Sequence, residues 1–151
     1  MSMADTLAIV IALAANGGTR NQGVDLPPAA AEVTIENQNG GNVSLHASRV
    51  IDYGDSGSHI RVMGSCISAC TLVLALPRDR ICVGPNASFG FHQPFYSNAR
   101  TVATTDLGTA MEDTYPPFVR QWLKVNFGGL PSGRPQFMRY DILKRYYPTC
   151  G

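Results

Sequence analysis

Charge is scarce in this chain: only 15% of its 151 residues are Asp, Glu, Lys or Arg, and the formal net charge is +1. A near-neutral molecule carries no broad field for holding nucleic acid or an anionic membrane surface, so neither is expected as a partner. The charges that exist are uneven, with acids dominating residues 1–60 and bases residues 120–151. That gradient reads as solvated surface or, at most, a basic C-terminal patch. Long apolar runs are also missing. Leu7–Ala15 falls well short of the roughly 20 residues a spanning helix needs. Hydrophobic residues nevertheless make up 44% of the chain, enough for a globular core and too many for a disordered one.

Cysteine and histidine are few, four and three respectively, and their spacing excludes more than it permits. There is no C-x-x-C. Cys66 and Cys70 form a C-x-x-x-C, which lacks the spacing tied to a lowered thiol pKa and so disfavours a thiol redox protein. The same pair has tolerable spacing for zinc, but no compact second pair follows it. Cys66, Cys70, Cys82 and Cys150 are better read as two disulfides, in any of three pairings. Disulfides imply an oxidising compartment, periplasmic or secreted rather than cytoplasmic. The N-terminus MSMADTLAIVIALAANGG bears on the same question. Its apolar stretch resembles the core of a secretory signal, yet no Lys or Arg precedes it and Asp5 stands where a base should. A signal-like segment and a buried first helix are the two readings.

Residues 16–31, rich in Gly, Pro and Asn, read as a linker, dividing an N-terminal segment (1–30) from a domain over 31–151. Within that domain AEVTIE (31–36), HIRVMG (59–64), RICVG (80–84) and ASFGFH (87–92) have strand character. A helix is expected over about 43–52, capped by Asn42, and a short one over 68–76. Pro116–Pro117 splits a later helical stretch in two. Gly128–Pro135 is a loop, and FMRYDILKRYY (137–147) a last short helix. Strands alternating with helices predict an α/β fold of βαβ units with a mostly parallel sheet. Sites in such sheets gather at the carboxyl ends of strands. NQNGG, SCIS and FHQP each follow a predicted strand, so they converge on one edge.

That convergence gives the residues a chemical meaning. Ser68 sits where a strand ends and a helix begins, and the Ala69 N–H belongs to the unpaired first helical turn. A hydroxyl, a base and backbone N–H donors are what acyl transfer requires. His92, one crossover away, is the candidate base. His46 and His59 have no such partner and read as core or surface. Gly40–Gly41 offers a backbone free of side chains that can approach a reacting carbonyl. Each piece alone has a plainer explanation: Ser68 as a helix cap, His92 as a rim residue, Gly40–Gly41 as a turn. Ser65 is a rival nucleophile, still within the strand. The G-x-S-x-G elbow is not matched, since position 70 is Cys.

The order NGGN, GSCISA, NASFGFHQP resembles the Clp protease proteolytic subunit, within the ClpP/crotonase superfamily. There a GG turn, a serine in a G-x-A-A-S-M-G stretch and a histidine in an I-H-Q-P stretch keep the same order at similar separations. The similarity is greatest to uncharacterised bacterial Clp-like proteins, often with signal peptides, that carry C-x-S-A-C. It covers Ala31–Pro94 well and Phe137–Tyr147 loosely. The resemblance implies a ClpP/crotonase-like fold, abbreviated at the N-terminus, and a serine peptidase without a cofactor or metal. Residue by residue it implies Ser68 as nucleophile, His92 as base, and Gly41 and Ala69 as oxyanion donors. The family's acid falls on Pro135, which cannot orient an imidazole. Asp141, nearest in sequence, is the substitute, with Asp113, Asp106 and a Ser-His dyad as alternatives.

The implied partner is a peptide or protein substrate, and self-association into a homo-oligomer suits a short domain. A catalytically inactive binding or assembly module is the competing reading. A crotonase-type acyl-CoA enzyme shares the implied fold, but no carboxylate in the matching stretch supplies its acid–base chemistry.

Overall fold

The computed structural model describes residues 1–15, 23–94 and 104–151. The chain is mixed α/β, but the described residues form two three-stranded sheets where the sequence predicts one. β1 (Glu32–Ile35), β2 (His59–Val62) and β4 (Ile81–Val83) form a wholly parallel sheet in the order β1-β2-β4. β3 (Ser65–Ile67), β5 (Ser88–Phe91) and β6 (Gln136–Arg139) form the second, with β3 parallel to β5 and β6 antiparallel to it.

The division follows one line across the chain. The strand expected over 59–64 ends at Val62 and resumes in the other sheet at Ser65. Gly64 makes the transition beside Asn37, where β1 also leaves its sheet; a Cβ on Gly64 would lie 3.2 Å from the Asn37 nitrogen. Asn37 itself has φ 53°. Beyond it, Gln38 pairs with Cys66 through Gln38 N–H to the Ser65 carbonyl and Ile67 N–H to the Gln38 carbonyl, both 2.8 Å.

Helix α2 (Val43–Ser56) starts where Asn42 Oδ1 accepts the Leu45 N–H at 2.9 Å. Val43, His46, Ala47, Val50 and Tyr53 line its buried face, the spacing of one helical stripe. It runs past the expected end because the stop is Gly57, in the left-handed region at φ 69°. α1 (Met3–Ala15) buries Leu7, Val10 and Ala14 and packs on α2 and on α3 (Thr104–Thr114). α4 (Pro117–Phe127) begins after the Pro116 break and ends at Gly128. Among the described residues no helix is long and apolar enough to cross a membrane.

Two segments depart further from expectation. The helix after β3 is 3₁₀ over Ser68–Ala75, a long run for that geometry. Residues Ala69–Leu74 are buried, so it is wrapped by the core on all sides. The helix expected over 137–147 is instead β6 followed by a single turn, α5 (Tyr140–Leu143). Met138 is fully buried and pairs with buried Phe89; pairing on a sheet edge overrides helix propensity there.

All four cysteines are disulfide-bonded, Cys66 to Cys70 and Cys82 to Cys150. The second fastens the C-terminus along β4, with Val83 N–H donating to the Pro148 carbonyl and Cys150 N–H to the Val83 carbonyl. The two bridges are compatible with an oxidising compartment.

Candidate active site

The register of the second sheet positions the two candidate side chains, Ser68 and His92. β3 and β5 pair in parallel with Ile67 opposite Gly90, so Ser68 follows one strand and His92 follows its neighbour, about 4.8 Å away in the pairing direction. Ser68 and His92 thus occupy the carboxyl ends of adjacent parallel strands. Both are partly exposed, and no hydrogen bond joins them among the described residues.

Ser68 is not a helix cap. The cap position is Ile67, and no side chain caps the turn. Ser68 instead has φ 60°, a left-handed conformation that costs a non-glycine residue about 1–3 kcal/mol and is held only where the surroundings impose it. Three contacts impose it here. The Cys66–Cys70 bridge brackets the serine, joining the strand before it to the helix after it. Thr71 Oγ1 donates to the Ser68 carbonyl at 2.5 Å and lies 2.7 Å from the Tyr115 hydroxyl. Because Thr71 spends its single proton on Ser68, Tyr115 is the donor in that pair. Burial raises the Tyr115 phenol well above its ordinary range and keeps it protonated.

The third contact is glycine backbone. Gly40, at φ 92°, lies against the serine: a Cβ there would fall 2.9 Å from Ser68 Cβ, 2.9 Å from the Ile67 carbonyl oxygen and 3.1 Å from the Ala69 nitrogen. At Gly41, the oxyanion donor implied by the resemblance, a Cβ would instead meet the Gly23 carbonyl oxygen and His46 Cε1. The glycine whose Cβ position meets Ser68 is therefore Gly40. Neither the Gly40 nor the Gly41 N–H meets an acceptor among the described residues. Ala69 N–H precedes the first intrahelical bond of its turn. Amides without an acceptor thus belong to the segments that meet at partly exposed Ser68.

His92 Nδ1 lies 2.8 Å from the Gln93 carbonyl. That oxygen can only accept, so it fixes the proton on Nδ1 and leaves Nε2 as the basic nitrogen. Gln93 is itself anchored, its N–H to the Pro131 carbonyl at 2.7 Å and its Nε2 to the Leu130 carbonyl at 3.0 Å. Leu130 N–H in turn donates to Glu112 Oε1 at 2.7 Å. Gln93 is a contributor that sequence reasoning missed; the Q of FHQP was its only signal.

Asp141 does not join this group. β6 runs antiparallel to β5 with Arg139 opposite Ser88 and Gln136 opposite Phe91. Asp141 therefore passes beyond the start of β5, while His92 follows its end. The strand between them spans roughly 13 Å at about 3.3 Å per residue. Asp141 lines a separate cleft of about 360 Å³ with Pro85, Asn86 and Ser88. Asp106 and Asp113 are exposed on α3. Continued by one residue, the same register sets Pro135 opposite His92, so the position where the resemblance expects an acid carries no carboxylate.

Among the described residues no group of three or more His, Cys, Asp or Glu could hold a metal ion, and the paired cysteines offer no thiolate. The chain matches no protein-family model, and no curated protein matches it significantly.

Proposed function

We propose that the protein is a serine hydrolase, acting on peptide or protein substrates through an acyl-enzyme at Ser68. One observation carries the reading: a serine at positive φ, at the strand-to-helix turn, with side-chain-free backbone pressed against it and unpaired N–H groups around it. A strained turn that presents a hydroxyl at a sheet edge is how nucleophile elbows work in unrelated hydrolases. Ser68 Oγ attacks the substrate carbonyl and passes its proton to His92 Nε2. The developing oxyanion is held by the Ala69 N–H and by an N–H of the Gly40–Gly41 turn, two donors where the loss of one typically costs about 10²–10³ in rate. The protonated imidazole then delivers its proton to the leaving amine, and water releases the acyl group by the reverse path. With Gln93 supplying the carbonyl that orients the ring, the site operates as a dyad. The resemblance of NGGN, GSCISA and FHQP to the Clp protease subunit supports the same assignment.

A second reading, a binding or assembly module without catalysis, is favoured by His92 having no carboxylate hydrogen-bond partner among the described residues. Labelling with a fluorophosphonate followed by peptide mapping separates the two. An adduct on Ser68 that disappears in His92→Ala supports the hydrolase; no adduct on a folded, oxidised sample sinks it.

A further inference from the structure

His46 is the least expected side chain near the site. It is fully buried on α2, and both ring nitrogens are already engaged. Nδ1 lies 2.7 Å from the Asn42 carbonyl and must carry the proton; Nε2 accepts the Asp25 N–H at 3.3 Å. The ring also closes on the glycine turn, with Cε1 3.2 Å from where a Gly41 Cβ would stand.

The segment His46 holds grips the same turn from both flanks. Asp25 Oδ2 accepts the Asn39 N–H at 3.2 Å, and the Gly23 carbonyl accepts the Asn42 N–H at 2.9 Å. Gly40 and Gly41 lie between those two ties. Asp25 is thus a hinge point, bonded through its backbone to His46 and through its side chain to Asn39.

We propose that His46 is a positioning residue: as the neutral imidazole it holds the Gly40–Gly41 turn against Ser68, and its protonation releases that turn. The inference rests on the reading of the turn as part of an oxyanion site and gives that site a pH-dependent control separate from His92. The mechanism follows from donor counting. An imidazolium has two N–H donors and no acceptor, so a proton on Nε2 would face the Asp25 N–H donor. The bond to Asp25 is lost, and with it one side of the clamp.

The charged groups facing the ring are Asp25 from the 23–26 segment, which favours protonation, and Arg49 on α2, which opposes it. Residues 37–41 contribute no charged side chain. Burial outweighs these and lowers the affinity of His46 for a proton. The sign follows. From the ordinary histidine range down to its own lowered pKa, the folded protein keeps His46 neutral and the turn stays assembled. Only below that lowered value does the turn release.

The test is an NMR titration of His92→Ala, in which the other candidate ring cannot contribute. The Gly40 and Gly41 amide resonances are expected to move with the midpoint of the His46 ring, and to stay fixed over that range in His46→Gln/His92→Ala. Gln offers an acceptor near the Nε2 position but does not titrate. Below the midpoints of both rings, fluorophosphonate labelling of the wild-type protein should fall with about the second power of proton concentration. His46→Gln should fall with about the first, as expected for one remaining essential base. Glycine amides that stay put while His46 titrates, or that move only on global unfolding, overturn the proposal. Amides that follow His46 in a protein that never labels would support it and count against the hydrolase instead.

Discussion

The two disulfides join the two sheets to the rest of the chain in opposite ways. Cys82–Cys150 ties residues 68 apart in sequence, pinning the chain end along the edge of the all-parallel sheet. Cys66–Cys70 ties residues 4 apart and encloses Ser68. Cross-linking restricts the unfolded chain more when the loop is long: about 4 kcal/mol for the first bridge and about 2 kcal/mol for the second. A bridge that adds so little to global stability, placed around a serine at positive φ, makes better sense as a local constraint. On the proposed reading one sheet is scaffold, and the other carries the candidate site and the bridge that shapes it.

Breaking the long bridge should give the largest effect. Cys82→Ser with Cys150→Ser is expected to cost about 4 kcal/mol, a fall in Tm of roughly 10 °C for a chain of this size. Below that Tm, Ser68 labelling should be unchanged. Thermal unfolding and labelling rate on the same sample check both halves, and a labelling loss well below Tm would erase the distinction between scaffold and site.

Gly40→Ala comes next. The new methyl group would meet backbone at 2.9 Å from the Ile67 carbonyl and 3.1 Å from the Ala69 nitrogen, at φ 92°. Backbone cannot swing aside as a long side chain can, so the turn must back away from Ser68. Labelling is expected to drop about 100-fold or more, in line with losing an oxyanion donor. The cleanest comparison is Gly57→Ala at the end of α2. It carries a similar positive φ, 69°, with nothing within 4 Å of its Cβ, so it should cost stability and leave labelling intact. Equal labelling by the two variants would remove Gly40 from the site.

Removing the short bridge, as Cys66→Ser with Cys70→Ser, should lower stability by only about 2 kcal/mol. Its labelling rate should nonetheless fall about tenfold at a temperature where the fold is intact, because the left-handed serine costs about 1–3 kcal/mol and loses one of its restraints. If labelling survives, Thr71 and Gly40 suffice to hold the turn.

These contrasts also mark what the sequence could disclose. α2 was legible because its signals are local: a capping Asn42 and an apolar stripe. The order turn, serine, histidine was legible for the same reason, since each element follows its own strand. The split into two sheets was not, because it depends on Gly64 lying beside Asn37, a contact between positions far apart in the chain. β6 was hidden by its composition: FMRYDIL reads as helix until Met138 is set against Phe89. Three cysteine pairings were equally open, and only the fold selects one. Gly40 and Gly41 are indistinguishable by type, so the choice between them required knowing which α-carbon meets Ser68. His46 looked ordinary because nothing near it in sequence reveals that Asp25 and Gly41 close over it.

The smallest expected effect tests the register itself. Proximity in sequence favoured Asp141 as the third catalytic residue, but antiparallel pairing converts nearness along the chain into distance along the strand. Residues after Arg139 emerge at the Ser88 end of β5, and His92 at the Phe91 end. An exposed carboxylate six strand positions from His92, roughly 20 Å along the strand direction, is screened by solvent and cannot orient an imidazole through a hydrogen bond. Asp141→Asn should therefore leave the labelling rate within about twofold and stability within about 0.5 kcal/mol, as for surface positions in general. A loss of 100-fold or more would mean that β6 pairs in another register, and that the carboxylate has come to His92 after all.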